Sequence, residues 1–193
     1  MSHKNTDETK KIPLGSGDVY VVEWKGTMPA DAIFEAELNR LGHIQGGASL
    51  EYKPTYYTAK DDLNRVSKEL ITDEEATLKL GIITWNTNTL NKLISTGKVE
   101  ENRETGRRTL KIGGIANQEN KKYAFRFVNR DVIDGDTRIT IIGSNQAGLT
   151  LSYAKDKEAT INPEIKASPM PDGSLIIIDE EILSEYPKNA EEE

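Results

Sequence analysis

The sequence predicts a mainly β protein: a β-sandwich or barrel with one or two short flanking α-helices and one long β-hairpin. Short runs rich in β-branched and aromatic residues recur along the chain, and Gly-rich or Asp-Gly turn signals separate them. Two short stretches instead show a helical period. Strands at such spacing, joined by turns, are typical of sandwiches and barrels.

The length of the chain predicts one domain with tails. With 193 residues it is long enough to bury a core without disulfides or metal as a staple. Residues 1–12 are polar and charged, and we interpret them as a mobile leader. Residues 13–180 are expected to form the folded domain, and residues 181–193 an acidic tail.

Composition excludes several classes of site. The chain has no cysteine, so disulfides and thiolate metal sites are impossible, and its two histidines, His3 and His43, are far apart in the sequence. No apolar run approaches the roughly 20 residues that span a bilayer. The start of the chain lacks the apolar segment of a secretory signal. We therefore expect a soluble protein that is made in a cytoplasm and needs no cofactor.

The first predicted elements are a strand and a helix. Residues 18–24 are β-branched and aromatic enough to form a strand. Residues 29–41 predict a short helix, because Pro29 suits a first turn and apolar residues recur near a 3.6-residue period. Gly42 is expected to end that helix.

Residues 48–73 predict the long hairpin. Two strand-like runs, 48–58 and 66–73, flank a tip of polar and charged residues. The tip includes Lys60, Asp61, Asp62, Asn64 and Arg65. Pro54 removes one donor from the strand ladder, which indicates an edge strand or a bulge. A charged tip cannot pack into a core, so we interpret the hairpin as an arm for another subunit.

Further elements follow the hairpin. A separate strand is predicted at 76–85, after Glu74 and Glu75. A helix is predicted at 88–95, with Asn86 or Thr87 as its cap and Gly97 as a left-handed residue that ends it. Later strands are predicted at 107–112, 122–130, 137–143, 149–153 and 174–179. The last of these could close the parent sheet or dock on a neighbouring molecule.

Two sequence motifs are weak candidates for a metal site or a catalytic site. Asp131, Asp134 and Asp136 with Gly135 resemble a calcium loop only superficially, because the spacing is wrong and no distal Glu follows. An Asp-Gly hairpin turn is the better interpretation. His43 is the only candidate base for a nucleophile, and no nucleophile elbow surrounds it.

Other possible sites are also weak. Gly97-Lys98 lacks the upstream glycine of a phosphate loop. Glu74-Glu75 and Asp61-Asp62 are adjacent, so on a strand their carboxylates point to opposite faces and cannot form a glycosidase pair. A sugar-stacking platform remains as an alternative, although aromatic side chains on strands are ordinarily core or interface. Its members would be Trp24, Tyr56, Tyr57 and Trp85. We expect a protein that is not an enzyme.

Taken in order, these segments resemble the tail tube proteins (major tail proteins) of long-tailed bacteriophages. The resemblance spans roughly residues 14–180 and depends on layout more than on invariant residues. The matching features are the turn at Leu41-Gly42 into 46–51, the hairpin with Asp61-Asp62 at its tip, the strand at 76–85 followed by Asn86 and a small helix, the segment 111–114 before a strand at 123–128, and a closing segment with 149–153, 161–163 and 165–167.

The resemblance implies a β-sandwich subunit that forms hexameric rings, in which four strands from each subunit close an inner barrel. Stacked rings would form a hollow tube for DNA and a tape-measure protein, with a terminator to stop growth and a baseplate below. The long hairpin, the leader and the C-terminal segment would connect rings. The protein would be made and assembled in the host bacterial cytoplasm, would contact no membrane, and would end in the virion tail.

The net negative charge of the chain is compatible with a channel through which DNA passes. A formal charge of −7 argues against a protein that grips nucleic acid, and six copies would carry −42. An acidic lumen would repel phosphate and let DNA slide. Lumen-facing positions are predicted at Glu51, Glu69 and Asp73, and ring contacts at the five charged or polar tip residues.

Two alternatives stay open. One is another tube of the same kind, either the inner tube of a contractile tail or a type VI secretion ring. The other, from a different class, is a carbohydrate-binding β-sandwich module on a phage tail or cell surface.

Overall fold

The computed structural model describes residues 16–181, apart from Asn64, Ile133 and Lys157. This part of the chain is mainly β, which confirms the predicted class. The predicted leader, 1–12, and nearly all of the predicted acidic tail lie outside the described residues. The strands are β1 (Asp18–Glu23), β2 (Arg40–Gly42), β3 (Ile44–Lys60), β4 (Ser67–Ile82), β5 (Gly97–Asn102), β6 (Arg107–Ile112), β7 (Tyr123–Asn129), β8 (Thr137–Asn145), β9 (Glu164–Ala167) and β10 (Ile176–Glu180); the α-helices are α1 (Asp31–Phe34) and α2 (Thr87–Lys92).

The main sheet curls into a barrel-like shape. Its antiparallel strands follow the order β2-β1-β7-β8-β9-β4-β3. Because only His43 separates β2 from β3, the two ends of this order are one stretch of chain, which pairs first with β1 and then with β4. The backbone N–H of Ile83 donates to the carbonyl of His43 at 2.9 Å, which joins the end of β4 to this junction.

One hydrophobic cluster fills the inside of the curled sheet. On β4, Leu78, Leu80 and Ile82 are buried at every second position, as one-sided burial of a strand requires. Helix α2 adds Leu90 and Leu93 to the same cluster. The other buried members are Val19, Val21, Leu41, Phe125, Ile141, Ile161 and Ile165. The interior therefore draws on every strand of the main sheet except β3 and β10 for its buried members.

The N-terminus of α2 is capped as predicted. The side-chain oxygen of Asn86 accepts hydrogen bonds from the backbone N–H groups of Asn88 and Thr89, at 2.9 and 3.0 Å. The helix ends earlier than predicted, with Leu93 at its C-cap. Gly97 is not the left-handed residue that was predicted, because it begins β5 in extended backbone and lies outside the positive-φ glycines.

A second cluster lies on the outer face of the same strands. Tyr20 alternates with Val19 and Val21 on β1, so its side chain points away from the interior. Phe34 of α1 packs against this outer face, and Met170 from the loop before β10 joins it. Helix α1 and that loop therefore form a second layer.

Strands β9 and β10 lie one after the other along one edge of β8. Strand β9 pairs with residues 143–145 and β10 with residues 137–141, while β7 occupies the opposite edge. The predicted C-terminal strand therefore closes the sheet of its own chain, which resolves the alternative that the sequence left open.

The helix predicted at 29–41 is wrong. The chain instead forms α1, a 3-10 turn at Glu37–Asn39 and strand β2. Phe34 and Leu41 are buried in different clusters, while Leu38 is 81% exposed. Pairing of β2 with β1 and burial of Leu41 in the interior outweigh the helical period, which is a weak local preference.

Two further predictions differ from the structure. No strand forms at 149–153. Strands β5 and β9 were not predicted, because β5 is polar and β9 has only four residues. Each is stabilised by its partner strand, β6 for the first and β4 with β8 for the second. Single-sequence patterns carry no information about such partners.

Gly143 marks a close approach between β8 and β9. A Cβ atom at this position would lie 2.1 Å from the carbonyl oxygen of Lys166, which is backbone and cannot rotate away. We expect Gly143→Ala to lower the free energy of unfolding by about 1 to 3 kcal/mol, as overpacking does. Urea denaturation of this variant beside Ser144→Ala tests it, and equal midpoints for the two would contradict it.

Candidate assembly surface

Strands β3 and β4 form one hairpin that is longer than predicted. Strand β4 runs without interruption from Ser67 to Ile82, so the division into strands at 66–73 and 76–85 is wrong. Glu74 and Glu75 pair with Pro54 and Lys53 across the hairpin. On a strand exposed on both faces these carboxylates stay in water, so they do not interrupt the ladder.

The outer half of this hairpin, residues 51–75, is here called the arm. None of its described residues is buried, and Ala76 is the first buried residue of β4. Among the described strands, β3 pairs only with β4, and β9 pairs with β4 only at residues 77–79. The described residues of the same copy therefore leave both backbone edges of the arm uncovered.

A β-bulge changes which side chains share a face of the arm. Thr55 pairs with Asp73 but Tyr56 pairs with Ile71, so Thr72 is an extra residue, whose hydroxyl donates to the Thr55 carbonyl at 3.3 Å. Pro54 indicated an edge strand or a bulge: β3 is an edge strand, as predicted, and the bulge is on its partner β4.

The bulge separates the three acidic residues predicted for the lumen. Glu51 and Asp73 share one face of the arm, whereas Glu69 pairs with Thr58 on the opposite face. All three are exposed. Glu51 lies 3.5 Å from the ammonium group of Lys79, so its charge is partly offset. Only Glu51 and Asp73 can face the same side.

Each face of the arm carries an apolar cross-strand pair. Tyr56 and Ile71, 54% and 52% exposed, lie on the face continuous with Leu50 and Leu78. Tyr57 and Leu70, 59% and 49% exposed, lie on the other. Such pairs stabilise the two strands against each other. About half of each side chain nevertheless remains in water.

The arm tip is closed by Asp61. Its carboxylate accepts hydrogen bonds from the backbone N–H groups of Val66 and Arg65, and the Arg65 Nε lies 3.4 Å away. These contacts, the Val66 N–H first, hold the pKa of Asp61 below its ordinary value. Asp61 and Arg65 therefore shape the turn.

The remaining tip residues are Lys60 and Asp62, which are exposed, and Asn64, which lies outside the described residues. Within the described part of the chain, no ion pair holds Lys60 or Asp62. Of the four described tip residues predicted for ring contacts, Lys60 and Asp62 are the two that form no ion pair with the described residues.

The base of the arm is fixed to β9. The Lys166 ammonium lies 2.7 Å from the Glu75 carboxylate and lowers the pKa of Glu75. Lys79 also lies 3.9 Å from Glu164 of β9. On the opposite face, the Tyr52 hydroxyl donates to Glu74. These contacts hold the direction in which the arm leaves the body.

A buried charged network on the outer face was not predicted from the sequence. Arg126 of β7 is only 3% exposed. Its Nη1 lies 2.5 Å from Asp31 Oδ1, its Nε donates to the Thr140 hydroxyl at 3.0 Å, and its guanidinium lies 4.3 Å from the centre of the Phe34 ring. The sequence did contain one signal for this network, an arginine in the middle of an apolar strand, because a buried arginine needs a charged or polar partner.

Glu35 links this network to two more arginines. Its carboxylate accepts from Arg138 Nε at 2.7 Å, Arg130 Nη2 at 3.0 Å and Arg126 Nη1 at 3.3 Å. Burial acts to raise the pKa of Glu35, but the hydrogen bonds and charges of Arg138 and Arg130 outweigh it, so the pKa lies below its ordinary value. The network fixes the segment after α1 to β7 and β8.

The predicted sugar-stacking platform does not form. Tyr56 and Tyr57 lie on opposite faces of the arm. Trp85 packs against the interior cluster, where its Nε1 donates to the Ala159 carbonyl at 3.3 Å, and Trp24 packs against the outer cluster. Four aromatic side chains in four separate places cannot stack on one sugar.

The acidic loop between β7 and β8 is longer than a simple Asp-Gly turn. Asp136 is paired with Arg130 at 3.2 Å and with Arg138 at 3.3 Å, and the N–H of Asp134 donates to Asp131. These carboxylates stabilise the loop. Among the described residues, no group of three or more potential ligands is placed to hold a metal ion.

No protein-family model matches this sequence, and no curated protein matches it either. Within residues 16–181, as far as they are described, no helix has the length and apolar character needed to cross a membrane.

Proposed function

We propose that this protein is a structural virion protein that polymerises as stacked hexameric rings into the hollow tail tube of a long-tailed bacteriophage, through which DNA passes into the host. The observation that carries the proposal is the arm, whose backbone edges and apolar pairs are left uncovered by the described residues of the same copy. The resemblance of the sequence to tail tube proteins supplies the identity of the assembly.

The uncovered edge is the physical argument for self-association. Strand β3 has 17 residues, about three times the usual strand length, and presents a row of unpaired backbone groups along the arm. Such an edge is a template for pairing with another chain. Pairing between the free edge of β3 in one copy and the free edge of β4 in the next is a head-to-tail contact, which gives a ring when its rotation closes.

The faces of the arm suggest which side would line the tube. The face with Tyr56 is continuous with Leu50 and Leu78, which pack against the body. The face with Glu51 and Asp73 points away from the body and would be the one turned to the lumen. Acidic side chains there repel DNA phosphates, so the duplex can slide without binding. Glu69 lies on the opposite face of the arm and would not line the lumen in this arrangement.

The partners of a tail tube protein follow from its place in the tail. Copies of the chain would contact each other within and between rings, and the ends of the tube would contact terminator and baseplate proteins, with a tape-measure protein inside. An inner tube of a contractile tail or a type VI-like secretion tube would use the same arm in another machine. A sheath gene beside this one would favour the contractile form. A carbohydrate-binding module has no support from the aromatic side chains.

Microscopy of the purified protein tests the proposal. We expect rings and tubes by negative stain, and a size distribution by mass photometry that shifts from single subunits to rings as the concentration rises. A matched control replaces residues 53–75 with an Asn-Gly turn, which suits the two-residue connection left between Tyr52 and Ala76. That variant should fold and stay monomeric. Single subunits at every concentration, with virion tails built from another protein, would refute the proposal.

A further inference from the structure

A second hairpin, formed by β5 and β6, follows the end of β4 that lies away from the arm. Strand β4 leaves the arm at Ala76, crosses the body and ends at Ile82, and the chain then continues through α2 into β5 and β6. The β5–β6 hairpin forms a sheet of its own that packs on α2. The arm therefore lies at one end of β4, and the chain reaches the β5–β6 hairpin from the other end of that strand.

The two hairpins have opposite charge. The arm carries four basic and seven acidic side chains, a formal charge of −3, whereas residues 97–112 carry five basic and three acidic side chains, a formal charge of +2. Because these charges are exposed, contact between the arm of one copy and the β5–β6 hairpin of another would bring unlike charges together.

The positive charges on the outer face of the β5–β6 hairpin are only partly neutralised by described carboxylates of the same chain. Leu110 packs on the interior cluster, so the opposite face, with Lys98, Lys111 and Arg107, points to solvent. Lys98 and Lys111 lie directly across from each other, an arrangement that destabilises a hairpin. They share one carboxylate, that of Glu100, at 3.6 and 2.7 Å. Among the described residues no ion pair holds Arg107.

The arm carries the complementary group of acids. Glu69 and Glu74 lie on the face of the arm that bears Tyr56 and Ile71. No described basic side chain forms an ion pair with either of them. At the receiving end, Ile115 is 91% exposed beside the β5–β6 hairpin, so an apolar contact can accompany the ionic ones.

We infer that the arm of one copy docks by its Glu69 and Glu74 face onto the Lys98, Lys111 and Arg107 face of the β5–β6 hairpin in a copy of the next ring. This inference rests on the proposed function and names the surface that receives the arm. The contact joins two different surfaces, so it repeats in one direction and gives the tube its polarity.

Charge reversal separates this contact from ring formation. One variant changes the arm (Glu69→Lys with Glu74→Lys), a second changes the hairpin (Arg107→Glu with Lys111→Glu), and a third combines all four changes. We expect the first two to form rings but no tubes, and the third to recover tubes, because the charges are exchanged rather than removed. Glu158→Lys with Asp179→Lys, exposed positions on neither hairpin, makes the same change in charge as the first variant and should leave tubes intact.

A disulfide gives a second measurement, because the chain has no cysteine of its own. Copies with Glu69→Cys mixed with copies with Lys111→Cys should cross-link in tubes and not in isolated rings. The inference would be overturned if either of the first two variants formed tubes, if either lost its rings, or if the mixed cysteine copies formed tubes without a cross-link. Each of these results would leave the proposed function standing. Absence of rings in the unmodified protein would overturn both.

Discussion

Replacing Arg126 with alanine is expected to lower the free energy of unfolding by about 3 kcal/mol, near the lower end of the range for breaking a buried ion pair. The change removes the hydrogen bond to Thr140, the contact with the Phe34 ring and the partner of Asp31. We expect a loss near the lower end of that range because Asp31 is largely exposed and Glu35 still forms ion pairs with Arg130 and Arg138. Urea denaturation followed by circular dichroism measures it.

Arg108→Ala is the matched control for Arg126→Ala. Arg108 forms an ion pair with Glu101 at 2.6 Å, but its side chain is 41% exposed, so water replaces the lost contact. We expect its removal to cost about 1 kcal/mol or less. If the two arginine variants unfold at the same denaturant concentration, the outer network contributes no more than a surface ion pair and the prediction is wrong.

The second large effect is expected on assembly. Changing Tyr56 and Ile71 together to serine should stop the proposed tube growth at concentrations where the unmodified protein assembles, because the apolar contact between copies would lose two large side chains on that face. The folded subunit should change little, since both side chains are already about half exposed. Sedimentation and negative-stain microscopy measure the tubes, and thermal unfolding checks the subunit.

Tyr153→Ser provides the comparison for that double variant. Tyr153 is 75% exposed and lies outside the arm, so its loss should leave assembly unchanged. Normal tubes from the arm variant, or equal loss of tubes from both variants, would show that the apolar pair on the arm has no specific part in assembly.

Local patterns predicted the elements whose stabilisation is mostly local. The strand near residues 18–24 follows from its β-branched and aromatic residues, and the cap at Asn86 follows from its position before the helical period. Pro54 indicated an edge strand or a bulge, since a missing donor is tolerated only there; β3 is an edge strand, and the bulge lies close by on β4. The hairpin itself follows from two long strand-like runs on either side of a polar tip.

Patterns failed where a distant partner decides the conformation. The apolar period of 29–41 is real, but β1 takes Leu41 into the interior and leaves Leu38 in water. The acidic pair Glu74 and Glu75 suggested a break, yet cross-strand pairing carries β4 through it. No local signal specified that Thr72 is the extra residue of the bulge, so the separation of Glu69 from Asp73 was missed.

The order of residues alone was enough for the β class, the arm and the acidic balance, because strand propensity, turn chemistry and charge are properties of neighbouring residues. The folded chain decided that the strand order closes through His43, that Arg126 and Glu35 meet across elements, and which side chains share a face of the arm. Those facts depend on contacts between residues far apart in sequence. The free energy of such contacts comes from burial and pairing that exist only after the strands assemble.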